Sequence, residues 1–273
     1  MPLLRRNPKI PKKPKPARKL KAPKTPESEP AQAREMSLWE HIAELRKRLV
    51  RALIAMIVAT AICAAFGEDL IRILAQPIDG IDKLVSIEVT ENVGVFMRVS
   101  LLGGFILAFP IILWQLLEFV IPGLTEKERR GVLLAIPFAT LLFAAGVLFA
   151  FYVMLPAALP FLISFIGIRT TPRLSNYFSF VTNLLFWIGV SFETPLAVYV
   201  LARLHLVTAR ALLAQWRIAI VAIAVIAAFV TPTPDPINMS LLMLPLFVLY
   251  LLSILLAALA VRGEKKETEE APA

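Results

Sequence analysis

The chain has 273 residues, 58% of them hydrophobic, and still carries a formal charge of +9. A soluble globule of this size would spread charge over its whole surface, whereas here it falls in blocks between long apolar runs, as in a membrane protein whose charges occupy its loops. One cysteine, Cys63, excludes an internal disulfide, and two separated histidines, His41 and His205, exclude a zinc cluster of about four N or S ligands, so neither a metal nor a cofactor is expected.

Residues 1–36 are rich in Lys, Arg and Pro and lack an apolar run, so they are predicted to be a disordered tail attracted to anionic lipid. No apolar core follows the basic stretch until residue 49, which excludes a secretory signal peptide. Order is predicted to begin at Ser37, because Ser37-Leu-Trp-Glu40 has the form of a capping box. Leu38, Ile42, Leu45 and Leu49 then recur at helical spacing, an interfacial helix running into the first span.

The apolar runs predict an all-α polytopic membrane protein with six spans, near 49–66, 95–120, 131–155, 177–201, 214–230 and 238–261. The membrane domain is therefore placed at 37–261 and a charged tail at 262–273. The first and fifth runs are short or interrupted by charge, and Arg51 and Arg217 lie near their ends, where long side chains reach back to the headgroups. Of the 29 Lys and Arg, fifteen fall in 1–51 and three each near 121–130, in 203–217 and after 261. The positive-inside rule then predicts both termini and the second and fourth loops in the cytoplasm. The exceptions are Arg72, Lys83, Arg98, Arg169 and Arg173.

Outside, 67–94 carries six acids, 156–176 contains Pro156, Pro160 and Pro172, and Thr231-Pro-Thr-Pro-Asp235-Pro is a stiff cap joining the last two spans. Pro110, Pro137, Pro195 and Pro245 lie inside spans and are predicted to bend them, favouring a concave wall. The two halves of the chain do not match, so no inverted repeat is evident.

Three acids invite a functional reading, each beside a plainer one. Glu193, in Gly189-Val-Ser-Phe-Glu193-Thr-Pro195, is an acid within a span, which costs roughly 2.5–3.5 kcal/mol on insertion scales unless it faces protein or a water-filled cavity. It is either a buried neutral acid bonded to a neighbouring helix or a polar spot that meets a partner helix or a passing polypeptide. Glu44 is spaced for an i,i+4 pair with Arg48, worth about 0.2–0.5 kcal/mol, or it serves as a ligand at the entrance to the first span. Glu128 completes a second capping box with Thr125, which competes with any binding role.

In order along the chain stand His41-x-x-Glu44-Leu-Arg46-x-Arg48, Pro110-x-x-Leu113-x-Gln115, Phe119-x-x-Pro122-x-Leu124, Glu128-Arg129-Arg130, Gly189-Val-Ser-Phe-Glu193-x-Pro195 and Thr231-Pro-x-Pro-Asp235. This series, spanning about residues 38–260, resembles TatC, the signal-peptide receptor family of the twin-arginine protein translocation system. The resemblance implies a glove-shaped six-helix receptor that binds signal peptides with paired arginines on folded cargo. It also implies transport driven by the proton gradient and work with TatA/TatB-type single-span subunits. It places Glu44 and Glu128 in the twin-arginine site, with Arg46 and Phe119 beside them, and Glu193 with Gln115 in the membrane groove. Pro77 and Asp235 match periplasmic positions that matter for activity. Contacts with membrane lipids and self-association in a receptor complex are further expectations, and no nucleic-acid partner is expected.

Departures from the family pattern are the long basic tail, a penultimate loop one residue longer, Met239 near a commonly polar position and Leu251 where glutamate is common. The chemistry of the implied site is sound, because guanidinium pairs bidentately with carboxylate and two carboxylates suit two arginines better than two lysines. Arg46, Arg48, Arg129 and Arg130 flank the acids and are predicted to point away or pair with other groups. A proton-coupled transporter using Glu193 is the alternative from another class. No enzyme is expected, since His41-x-x-Glu44 is not the H-E-x-x-H zinc arrangement and no catalytic set is present.

Overall fold

A computed structural model describes residues 38–120, 126–163, 171–203, 206–230 and 236–269; the side chains of 38–41, 120, 126–135, 161–162, 237–238 and 261–269 lie outside that description. The elements are α1 (Leu38–Ala65), α2 (Gly67–Ala75), α3 (Glu91–Val120), α4 (Glu126–Phe149), α5 (Leu155–Ile163), α6 (Leu174–Phe192), α7 (Thr194–Arg203), α8 (Ala209–Ala214), α9 (Trp216–Val230) and α10 (Pro236–Glu269). Among the described residues, five helical stretches are long and apolar enough to cross a membrane: Ile42–Ala65, Glu91–Phe119, Ile136–Pro160, Leu174–Arg203 and Met239–Ala260. Helix α9 has 15 residues, about 22 Å at 1.5 Å per residue, and falls short of a full crossing on its own.

Helices α1 and α3 pack antiparallel. Arg48 meets Glu118 at one end, while Gly104 faces Thr60 and Gly103 faces Cys63 further along. A Cβ on Gly104 would stand 2.6 Å from the Thr60 Cα, so only glycine lets the two backbones approach this closely, the small-residue device of membrane helix pairs. The rest of α1 presents Leu49, Leu53, Ile54, Ile57 and Val58 outward, exposed apolar surface that only lipid or a partner would cover.

The core lies where α3, α4 and α6 converge, and its largest enclosed side chains include Phe143, Phe178, Leu184 and Ile188. Phe143 stacks on Phe109 with ring centroids 3.8 Å apart, and Phe105 bridges Phe143 and Phe186 at 5.8 and 5.0 Å. A smaller cluster of Ala202, Ala257 and Ala260 joins α7 to α10, and the Tyr250 hydroxyl donates to the Leu212 carbonyl, tying α10 to α8.

Helix starts and breaks follow local chemistry. The Thr208 hydroxyl accepts from the Ala211 N–H and caps α8. The capping residues expected at the starts of α1 and α4, Ser37 and Thr125, lie outside the described residues, and the two helices open at the next residues, Leu38 and Glu126.

One expectation is corrected. Pro156 and Pro160 were assigned to an outer connection, but the helix of the third span continues past them to Ile163. The π-helical stretch Ala150–Met154 lies immediately before, where a wider turn relieves the crowding of the Pro156 ring against the carbonyl four residues earlier. Pro195 interrupts its span, as expected: α6 ends at Phe192 and α7 starts at Thr194, with Glu193 at the break.

Candidate functional site

Glu44 occupies the second turn of α1, one helical turn before Arg48, and their side chains form an ion pair at 2.6 Å. Arg48 also reaches across to Glu118, near the end of α3, so one guanidinium joins two carboxylates from two helices. Its side chain is only 11% exposed, whereas Glu44 and Glu118 are 27% and 39% exposed. The arginine is therefore the buried hinge of the cluster, and both acids keep a face open. The expectation that Arg48 points away or pairs with another group holds only in part: it does pair with Glu118, and it also engages Glu44 itself. Arg46 is exposed and has no ion-pair partner among the described residues.

Phe119 follows Glu118 directly and is half-buried. Gln115, one turn earlier on α3, has a buried side-chain oxygen without a hydrogen-bond partner among the described residues. Glu128 belongs to the first turn of α4, and its side chain lies outside the described ones. Six peptide steps separate Val120 from Glu126, so covalent reach alone keeps the start of α4 within roughly 20 Å of the Glu118 end.

Glu193 is set by its neighbours. Gly189 and Gly146 let α6 and α4 close on each other: a Cβ on Gly189 would stand 2.8 Å from the Phe143 ring, and one on Gly146 would stand 2.7 Å from Phe192. The Ser191 hydroxyl turns back onto the Trp187 carbonyl, and Pro195 ends the regular ladder, leaving Glu193 at the interruption. One Glu193 carboxyl oxygen is buried without a partner among the described residues, a costly arrangement in an apolar setting.

The opposite end of the molecule holds Pro77, in the 3-10 turn Gln76–Ile78 that follows α2. The chain reverses there through Asp79 (φ 64°) and Gly80 (φ 109°), the left-handed region that glycine enters without penalty. Asp235 lies outside the described residues. Sequence reading missed the cluster that organises this end. The Arg173 guanidinium donates to Glu88 at 2.7 Å and to Glu91, and these carboxylates raise its already high pKa, Glu88 first. The backbone of Val85 accepts from the Leu174 N–H and donates to the Pro172 carbonyl, so two loops 82 residues apart at their side-chain contact are pinned together. The only signal was opposite charge in two loops assigned to one side.

Against known proteins, the family model described as Sec-independent protein translocase protein (TatC) matches residues 40–245. The chain is 38% identical over 225 residues to the Sec-independent protein translocase protein TatC of Carboxydothermus hydrogenoformans, covering 81% of this chain and 93% of that one. It is 37% identical over 243 residues to the TatC protein of Aquifex aeolicus, covering 86% of this chain and all of that one. Two crystal structures described as the twin arginine translocase receptor TatC superpose with TM-scores of 0.73 and 0.74 at 34% and 33% identity; the first covers 81% of this chain and all of that one, the second 80% and 99%. The matched segment takes in the Glu44 cluster, Pro77, the Gly189–Pro195 break and the loop pinned by Arg173. The chain belongs to the TatC family of Sec-independent protein translocase proteins.

Proposed function

We propose that this protein is the receptor subunit of a twin-arginine translocase. It binds twin-arginine signal peptides of folded cargo at the Glu44 end of the bundle and nucleates assembly of the translocation site. The observation that carries this reading is the half-open Glu44–Arg48–Glu118 cluster: an acid already engaged by one guanidinium, partly exposed, with Glu128 in the first turn of α4 within covalent reach of that end. A peptide guanidinium joins or replaces Arg48 at Glu44, and a second meets Glu128. An exposed ion pair is worth only about 0.2–1 kcal/mol, so affinity also requires apolar contact between the peptide's hydrophobic stretch and the lipid-facing wall beside Phe119.

On this reading α9 completes six spans, both termini face the cytoplasm, and the protein resides in the cytoplasmic membrane, with 1–36 and 262–273 flanking the membrane domain. Glu193 and Gln115, each with a buried oxygen lacking a partner among the described residues, meet single-span subunits of the TatA/TatB type or the inserted peptide. The relatives bear the name of a translocase component, which favours a transport role without catalysis, and the free energy for export comes from the proton gradient. Pro77 and Asp235 act on the outer side, and self-association builds the receptor complex.

The test is crosslinking of a twin-arginine signal peptide to the protein in native membranes. The Glu44→Ala, Glu128→Ala double variant is expected to lose the crosslink while inserting normally. An undiminished crosslink in the double variant contradicts the site.

A further inference from the structure

Arg98 is a cation inside a span, two turns beyond Glu91 on α3, and it has no ion-pair or hydrogen-bond partner among the described residues. It lines an open cavity of about 300 Å³ between α1, α3 and α6. Ser179 and Asn183, one turn apart on α6, share the cavity with it, and their side chains likewise have no hydrogen-bond partner among the described residues. The rest of the wall is apolar, including Met56, Leu101 and Phe186, apart from Thr182, whose hydroxyl already donates to the Phe178 carbonyl.

An unpaired arginine in a span persists only where it reaches water, headgroups or an anion. The nearest acid on its own face of α3 is Glu91, seven residues away, and that carboxylate is committed to Arg173. Two turns correspond to about 10 Å of helix, which leaves the guanidinium close to the headgroup layer at the Glu91 end. We propose that this cavity binds a phospholipid from that leaflet, with Arg98 gripping the phosphate, Ser179 and Asn183 bonding its oxygens or the glycerol, and the apolar wall taking the start of an acyl chain.

The chemistry selects a lipid over a partner helix. Guanidinium pairs bidentately with phosphate, and the polar and apolar parts of the cavity reproduce the division of a phospholipid between headgroup and chain. A cavity of this volume suits a small ligand, whereas a helix 10–12 Å across could insert no more than one side chain. The site lies at the opposite end from Glu44 and does not depend on the signal-peptide reading.

The experiment uses the full-length protein, delipidated in detergent, with bound lipid counted by native mass spectrometry. Phosphatidylglycerol is compared with diacylglycerol of the same chains, which lacks the phosphate, and with inorganic phosphate as competitor. Wild type is expected to retain one phosphatidylglycerol in preference to diacylglycerol, and Arg98→Gln to lower that retention about tenfold, the loss of one charge-assisted contact. Asn183→Leu should lower it by a smaller factor, and Arg98→Lys, which keeps the charge but not the bidentate fork, should fall between wild type and Arg98→Gln. Equal retention of the two lipids by wild type overturns the proposal without any variant. So do retention by Arg98→Gln equal to wild type, displacement of the lipid by inorganic phosphate at matching concentration, and crosslinking of position 98 to an acid on a partner helix.

Discussion

Arg48 holds Glu44 and Glu118 together, and this sharing sets how tightly Glu44 is occupied before any peptide arrives. With two carboxylates dividing one guanidinium, neither is fully neutralised, and the pair has attraction left for an incoming arginine. Replacing Glu118 with Gln leaves Arg48 wholly to Glu44. Twin-arginine peptide affinity is then expected to fall, by up to about fivefold for a partly exposed pair, in a direct binding titration. Unchanged or tighter binding by Glu118→Gln means that Arg48 does not compete for Glu44. Half of this cluster was legible in the sequence: the four-residue spacing of Glu44 and Arg48 is a helical neighbour relation. Glu118 is seventy residues from Arg48, and its part exists only because α1 and α3 pack antiparallel, which no local pattern encodes. The same limit hid the bonds of Arg173 to Glu88 and Glu91.

Between elements, glycine sets the approach of α1 to α3 and of α4 to α6, and glycines within one helix differ in what they tolerate. A methyl on Gly104 meets the Thr60 backbone, which has nowhere to retreat, whereas a methyl on Gly94 in the same helix meets nothing within 4 Å. Gly104→Ala is expected to destabilise the purified protein by about 1–3 kcal/mol, the range for overpacking, and to lower its thermal midpoint in detergent. Gly94→Ala should be neutral or stabilising by about 0.5–1 kcal/mol, from the helix propensity of alanine. Equal effects of the two substitutions would remove the close-approach argument. At the far end, Arg173→Gln is expected to speed hydrogen exchange at Val85 and Leu174, whose backbone groups bond across the two loops, while leaving exchange in α4 unchanged.

The helices themselves were legible. Long apolar runs gave their positions within a few residues, and Pro195 marked the break that leaves Glu193 out of the regular ladder. Pro156 misled, because a proline at the second position of a helical segment, preceded by a wide turn, does not end the helix; Pro160 lies inside that segment, which continues only to Ile163. How α1, α3 and α6 border an open cavity was not legible, since Met56, Arg98 and Ser179 come from three distant stretches.

For the molecule as a whole, orientation decides whether the Glu44 end meets peptides delivered from the cytoplasm. The asymmetric spread of Lys and Arg predicts that it does. In a Cys63→Ala background, a cysteine at position 44 or 210 should react with a membrane-impermeant maleimide only from the cytoplasmic side, and one at position 82 only from outside. The reverse labelling pattern would invert the topology and place the carboxylates where no cytoplasmic signal peptide reaches them. The central claim is narrower still: carboxylates at this end recognise paired guanidinium groups by geometry as well as by charge. Its most direct measurement is the affinity of the membrane-embedded protein for one signal peptide carrying Arg-Arg and for the same peptide carrying Lys-Lys. Tight binding of the first, weak binding of the second, and loss of that difference in the Glu44→Ala, Glu128→Ala variant is the expected result. Equal binding of both peptides by the unmodified protein would contradict it.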